Sequence, residues 1–210
     1  MSKTRKLLIL GLAPLMMACG GSSEEEGTDE EEVTEETCTY SYDAESTVLT
    51  WTAFKLTEKI GVDGTFDQIN VTAAESEDMF GVLTGATFEI PISSLNSQDA
   101  TRDTKVKNSF FGVLGTEAIM GKINSIDATT ANVSINFNGF DIAYDGTVSV
   151  EGETITMKTT IDITDYDDGQ TAIDSLGAVC SEKHTGPDGV NKLWSDVDIA
   201  VKTTLVKTCK

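Results

Sequence analysis

Ser181, His184 and Asp188 fall close together in the chain, and they are the side-chain types that acyl transfer uses as nucleophile, base and orienter. Their setting argues against that chemistry. A nucleophilic Ser of this kind sits on a strand-turn-helix elbow, whereas residues 180–193, with Gly186, Pro187 and Gly189, read as one long loop. His184 is the single His of the chain, so mechanisms needing two imidazoles are excluded. With no Cys-x-x-Cys nearby it makes no zinc site either, and solvation in the loop is its expected state. Asp162, Asp165, Asp167 and Asp168, followed by Gly169, imitate a calcium loop, but Leu176 stands where the bidentate Glu would be. An EF-hand is excluded and a weak surface calcium site stays open. The expectation is a non-catalytic protein without a resident metal or cofactor.

The cysteines carry different chemistry. Met1 to Lys6 hold three positive charges and lead into twelve apolar residues, 7–18, too few to span a membrane comfortably and typical of a signal peptide. Leu15-Met16-Met17-Ala18-Cys19 resembles the bacterial lipobox, with Met16 in place of the usual Leu, which implies that Cys19 is acylated and becomes the mature N-terminus. Residues 20–36 then contain nine acids, no basic residue and one apolar side chain, Val33. Such a stretch cannot bury enough surface to fold. The expected organisation is a signal peptide over 1–18, an acidic disordered tether over 19–37, which also resembles the export signal of surface-displayed lipoproteins, and a folded domain over 38–210. An exported lipoprotein of the outer membrane, facing the periplasm or the cell surface, follows. In that oxidising setting Cys38, Cys180 and Cys209 leave one thiol over. Cys38 precedes the first strand signal and Cys209 ends the last, so a Cys38–Cys209 bridge is expected, with Cys180–Cys209 as the alternative.

What positions these groups is a β framework. The chain has 18 Gly and only 3 Pro, with Thr, Val and Ile recurring. Alternating runs occur at 47–54, 61–74, 83–92, 117–126, 131–138, 140–150, 154–163 and 194–206. Turn material such as Asn138-Gly139, Asp145-Gly146 and Glu151-Gly152 punctuates them, and Pro91 marks an edge or strand end. Residues 99–112 break the pattern as a short amphipathic helix: Asp99 or Thr101 caps it, Asp103 can pair with Lys107, Val106 and Phe110 share a face, and Gly112 ends it. Residues 171–179 are helical or an irregular turn. Eight strands and a lid helix predict an all-β, antiparallel eight-stranded barrel, either filled by side chains or holding one small ligand. Net charge −20 disfavours nucleic acid as a partner.

Several segments together resemble the YceI-like family. They are residues 42–51, Gly61-Val62-Asp63-Gly64-Thr65-Phe66, residues 83–88, Ser94-Leu95-Asn96, the Arg102-Asp103 helix ending in Phe110-Phe111, Phe137-Asn138-Gly139, and residues 194–199. The likeness covers roughly 40–205 and implies a lipocalin-like barrel of exported bacterial proteins that holds a long apolar chain, such as a polyisoprenoid or fatty amide. Departures exist. Members often open with Asp-Pro-x-His and end the first strand with His, where this chain has Asp43-Ala44-Glu45 and Lys55, and Phe140-Asp141-Ile142 replaces the family's Val-Thr-Lys. The ligand's identity, above all any charged head group, therefore does not transfer.

The expected cavity wall is Trp51, Phe66, Phe88, Ile90, Ile135, Phe137, Met157 and Ile161, with Phe110 and Phe111 from the helix. Arg102 is either a head-group ligand or half of a structural pair with Asp103. The partner would be a long-chain apolar molecule, bound lipid or isoprenoid, with membrane contact through Cys19. The rival is a structural or adhesive surface lipoprotein whose barrel is filled.

Overall fold

Leu49 and Trp51 are buried on one face of their strand, while Val48 on the other is exposed. The same two-residue period recurs along the chain and builds the sheet. The computed structural model describes residues 36–210. Its strands are β1 (Cys38–Ser41), β2 (Val48–Lys55), β3 (Ile60–Phe66), β4 (Asn70–Thr72), β5 (Thr87–Pro91), β6 (Leu95–Asn96), β7 (Ala118–Ile126), β8 (Thr130–Phe137), β9 (Phe140–Glu151), β10 (Thr154–Asp162), β11 (Leu193–Thr204) and β12 (Val206–Cys209). Ten of them form one antiparallel sheet in the order β4-β5-β7-β8-β9-β10-β11-β2-β3-β6. The sheet is curled. β6 borders one edge beside the end of β3, and the chain that leaves β3 leads into β4 at the other edge; at the corner between β3 and β4 Asp67 N–H donates to Ser94 O at 2.8 Å and Asn96 Nδ2 to Asp67 at 2.8 Å.

The eight expected runs thus become ten sheet strands, for local reasons. Residues 61–74 divide at the corner, and Leu95–Asn96 pair with the end of β3. Residues 83–86 leave the strand, because Asp78 caps a short helix α1 (Met79–Leu83) through Phe80 and Gly81 N–H. The last run also ends early. Leu205 is buried and donates to Glu153 O, so β12 swings away and pairs with β1 in a separate ribbon. Thr37 extends that ribbon by exchanging two backbone hydrogen bonds with Lys210, one residue before the expected domain start. Asn138-Gly139 makes the two-residue β8–β9 hairpin, both at positive φ. Asp145-Gly146 is not a turn but lies inside β9, where a Cβ on Gly146 would sit 2.8 Å from Lys158 O.

The single lid helix is replaced by two packed helical stretches. The first starts at α2 (Ala100–Val106), capped by Asp99. It widens into a π-helical turn over Lys107–Phe111 and continues as α3 (Gly112–Leu114), so it stops at the left-handed Gly115 instead of Gly112. Lys107 donates to Ser93 O at 2.7 Å and not to Asp103. The second is α4 (Gly169–Val179), followed by α5 (Ser181–His184) inside the segment expected to be loop. Cys38 and Cys209 form a disulfide across the β1–β12 ribbon, and among the described residues Cys180 is free. Among the described residues no helix is long and apolar enough to cross a membrane. Residues 1–35, including Cys19 and most of the tether, lie outside the described part.

Candidate functional site

Alternation places one face of every long strand inside the curl. Those faces enclose two adjoining chambers. The first is lined by Phe66, Phe88, Ile90, Ile135, Phe137, Met157 and Ile161, and no polar atom of its wall faces the space. Trp51, Phe66, Phe110, Phe111, Phe137 and Ile161 belong to the second, which α4 closes with Ile173 and Leu176. Phe66, Ile119, Phe137, Ile161 and Ile199 line both, forming a waist. Every apolar residue expected in the wall is therefore there.

Specific packing shapes this wall. Trp51 and Phe88 face Gly64 and Gly121 across the sheet, and each ring lies over its glycine; a Cβ there would be 2.1 Å and 2.2 Å from ring atoms. At the waist, Phe137 meets Tyr166 edge-on at 4.5 Å between centroids and Phe111 at 6.3 Å. Tyr166 is buried, its hydroxyl donating to Ile135 O at 3.1 Å, and burial pushes its pKa up. Burial first, then Asp165, raises Tyr144 to about 12.

Size follows from volume. Each chamber has a cavity volume of about 130 Å³. A dry apolar cavity of about 150 Å³ takes one benzene ring. Each chamber thus takes roughly six carbons, and the pair a chain of roughly twelve.

The family pattern of the YceI-like domain matches residues 40–205. The chain belongs to the YceI-like family. Among solved structures it is similar to a polyisoprenoid binding domain from Saccharophagus degradans implicated in plant cell wall breakdown, with a TM-score of 0.57 and 14% identity, covering 79% of this chain and 97% of that one. It is also similar to Burkholderia cenocepacia BcnA (TM-score 0.49, 12% identity, 79% and 99% covered) and to a Campylobacter jejuni YCEI protein (0.47, 14%, 74% and 89%). Among curated proteins none matches significantly.

Outside the chambers of this YceI-like fold, two expectations change. Arg102 does not line either chamber. Its Nε donates to Ser97 Oγ at 2.7 Å and an Nη to Ser97 O, while Asp103 accepts Ser97 N–H at 2.9 Å and the Ser97 hydroxyl. The two charged side chains clamp a buried serine instead of pairing with each other. His184 is not solvated in a loop but half-buried on α5, its Nδ1 enclosed without a partner. Burial and the nearby Lys55 and Lys105 lower its pKa to about 4. Asp188 is engaged elsewhere, accepting from Thr57 Oγ1 at 2.7 Å and Val190 N–H at 3.0 Å, and no hydrogen bond links it with the Ser181 or His184 side chains. Asp162 caps the turn after β10 through Thr164, and Asp165 accepts from Tyr144 at 3.2 Å.

Two features escaped the sequence. Tyr42, Thr47 and Thr203 reach the first chamber's wall; the two threonine hydroxyls bond each other at 2.7 Å, and the Tyr42 hydroxyl is buried without a partner. Beside the second chamber opens a vestibule of about 350 Å³ lined by Lys55, Arg102, Lys105, Lys183, His184 and Cys180. No spacing announces either, since their members come from distant segments.

Proposed function

We propose that the protein is an exported, lipid-anchored carrier that holds a long-chain hydrophobic ligand, isoprenoid or fatty-acid-like, inside the barrel without changing it chemically. The observation that carries this reading is the pair of apolar chambers joined at the Phe66–Phe137 waist. Polyisoprenoid binding by the similar Saccharophagus degradans domain supports it. Each buried methylene contributes about 0.8 kcal/mol. A dozen therefore contribute roughly 10 kcal/mol before ordering costs, against about 8 kcal/mol for micromolar affinity. Acylation of Cys19 supplies the attachment and the acidic tether the reach.

Native mass spectrometry of the purified protein, followed by organic extraction, tests the carrier. A stoichiometric lipid of long chain is the expected result. A clean unliganded mass under gentle conditions would favour the filled-barrel surface protein instead. The anchor is tested by Cys19→Ser, which should move the protein from membranes to the soluble fraction; retention on membranes would contradict it.

A further inference from the structure

With 35 acidic and 15 basic residues in the chain, a basic side chain should meet carboxylates far more often than other cations. Around the vestibule that proportion is reversed. Lys55 at the end of β2, Arg102 and Lys105 on α2, and Lys183 and His184 on α5 line it, and Asp99 is the one carboxylate there. Asp99 is already committed to the helix start, accepting Thr101 N–H at 3.0 Å and Arg102 N–H at 3.1 Å.

The Arg102 guanidinium is likewise turned to Ser97. The lysines are not. Lys55 Nζ donates to Lys183 O at 3.2 Å and Lys105 Nζ to Val179 O at 3.1 Å, both carbonyls at helix ends. An ammonium has three donors, so two N–H groups on each remain for another acceptor. Among the described residues the only salt bridge is Lys59 with Asp196, so no carboxylate pairs directly with Lys55, Lys105 or Lys183, although Asp99 feels the charges of Arg102 and Lys105. Capping a helix end needs one cation. Several cations converging on a partly enclosed space repel one another, and burial first, then Lys55 and Lys105, depress the basicity of His184.

The vestibule also adjoins the second chamber. Trp51, Ala53, Phe54, Val106, Leu176 and Leu193 line both. An apolar chain in the chamber thus has its nearest charged surroundings here, and they are positive.

We propose that the vestibule is the head-group site for an anionic amphiphile, whose carboxylate or phosphate is held by Lys55 and Lys105 with the His184 imidazole beside them while its chain occupies the chambers. The inference rests on the carrier reading and adds the ligand's charge. A neutral head group would leave the ammonium groups uncompensated, and an amine would be repelled. An anionic oxygen accepts from both lysines in charge-assisted hydrogen bonds.

The test uses the fluorescence of Trp51 and Trp194, both in the second chamber's wall, in titrations of the full delipidated chain with dodecanoate, dodecyl phosphate and dodecanol at neutral pH. At least one anion should bind tenfold or more tighter than dodecanol, and which one does so separates a fatty-acid-like from a phosphorylated ligand. In Lys55→Gln/Lys105→Gln the preference should shrink to less than threefold while dodecanol affinity is retained, which also shows that the variant is folded. Equal affinities for all three in the unaltered protein would overturn the head-group site and leave the carrier intact. Binding of none would overturn both. A double variant that keeps the full anion preference would remove the two lysines from the site, as would loss of all three ligands alike in a variant with an unchanged melting temperature.

Discussion

Ser97 shows how a residue that resembles a ligand contact becomes a structural one. Its hydroxyl and backbone are buried, and the clamp of Arg102 and Asp103 satisfies its N–H, carbonyl and Oγ together. Arg102→Ala leaves the carbonyl and part of the hydroxyl without partners, a cost of about 1–3 kcal/mol. The urea midpoint should fall accordingly; an unchanged midpoint would mean that water replaces the guanidinium at no cost. His184 makes the second residue-scale prediction. Its folded pKa, about 4, lies below the ordinary imidazole value of 6.5, so between these values the unfolded chain binds more protons than the folded one. Stability should therefore fall as pH drops from about 6.5 towards about 4. The carboxylates of Asp99, Asp162 and Asp188, and of Asp127 at about 2, are lowered by hydrogen bonds, and their contributions are lost only at more acid pH. His184→Gln should flatten the curve of melting temperature in the upper window alone. The same slope in the variant would place the acid sensitivity elsewhere.

At the scale of elements, glycines opposite aromatics set the shape of the chambers. Gly121 faces Phe88, and a Cβ on it would meet Phe88 Cζ at 2.2 Å and Ser134 O at 2.3 Å. Gly121→Ala must push the ring aside or part β7 from β8, costing about 1–3 kcal/mol as other overpacked sites do. Lower melting temperature together with less bound lipid per protein is expected; full loading at unchanged stability would contradict the assigned packing. The strands that hold these residues were legible, because Phe88, Ile90, Ile135 and Phe137 alternate with polar neighbours and only one face can be buried. The corner at 67–69 was not, since it carries neither Gly nor Pro and is held by the distant Ser94. Pairs as short as Leu95–Asn96 have no period to read. Arg102 was misplaced because its partner Ser97 lies outside the helical pattern, and the vestibule stayed hidden because Lys55 and His184 meet only through the fold.

For the whole molecule, the same interior must serve as core and as solvent for a ligand. Protein interiors are normally packed as densely as organic crystals, whereas here two cavities of about 130 Å³ each interrupt the main cluster of buried side chains. Cavity formation costs about 24 cal/mol per Å³, so each empty chamber destabilises the fold by about 3 kcal/mol. A chain of suitable length restores the missing contacts, and because it binds the folded state alone it stabilises by mass action as well. The β1–β12 ribbon and its disulfide hold the two ends of the described domain together but fill neither cavity. Stripping the lipid should therefore lower the melting temperature markedly, by roughly 2–4 °C for each kcal/mol in a domain of this size. Adding back a C12 chain should restore it more fully than a C6 chain, which fills one chamber at most. Identical melting curves for stripped and loaded protein, or a response indifferent to chain length, would mean that the chambers close on themselves when empty, and the filled barrel would then be the better description.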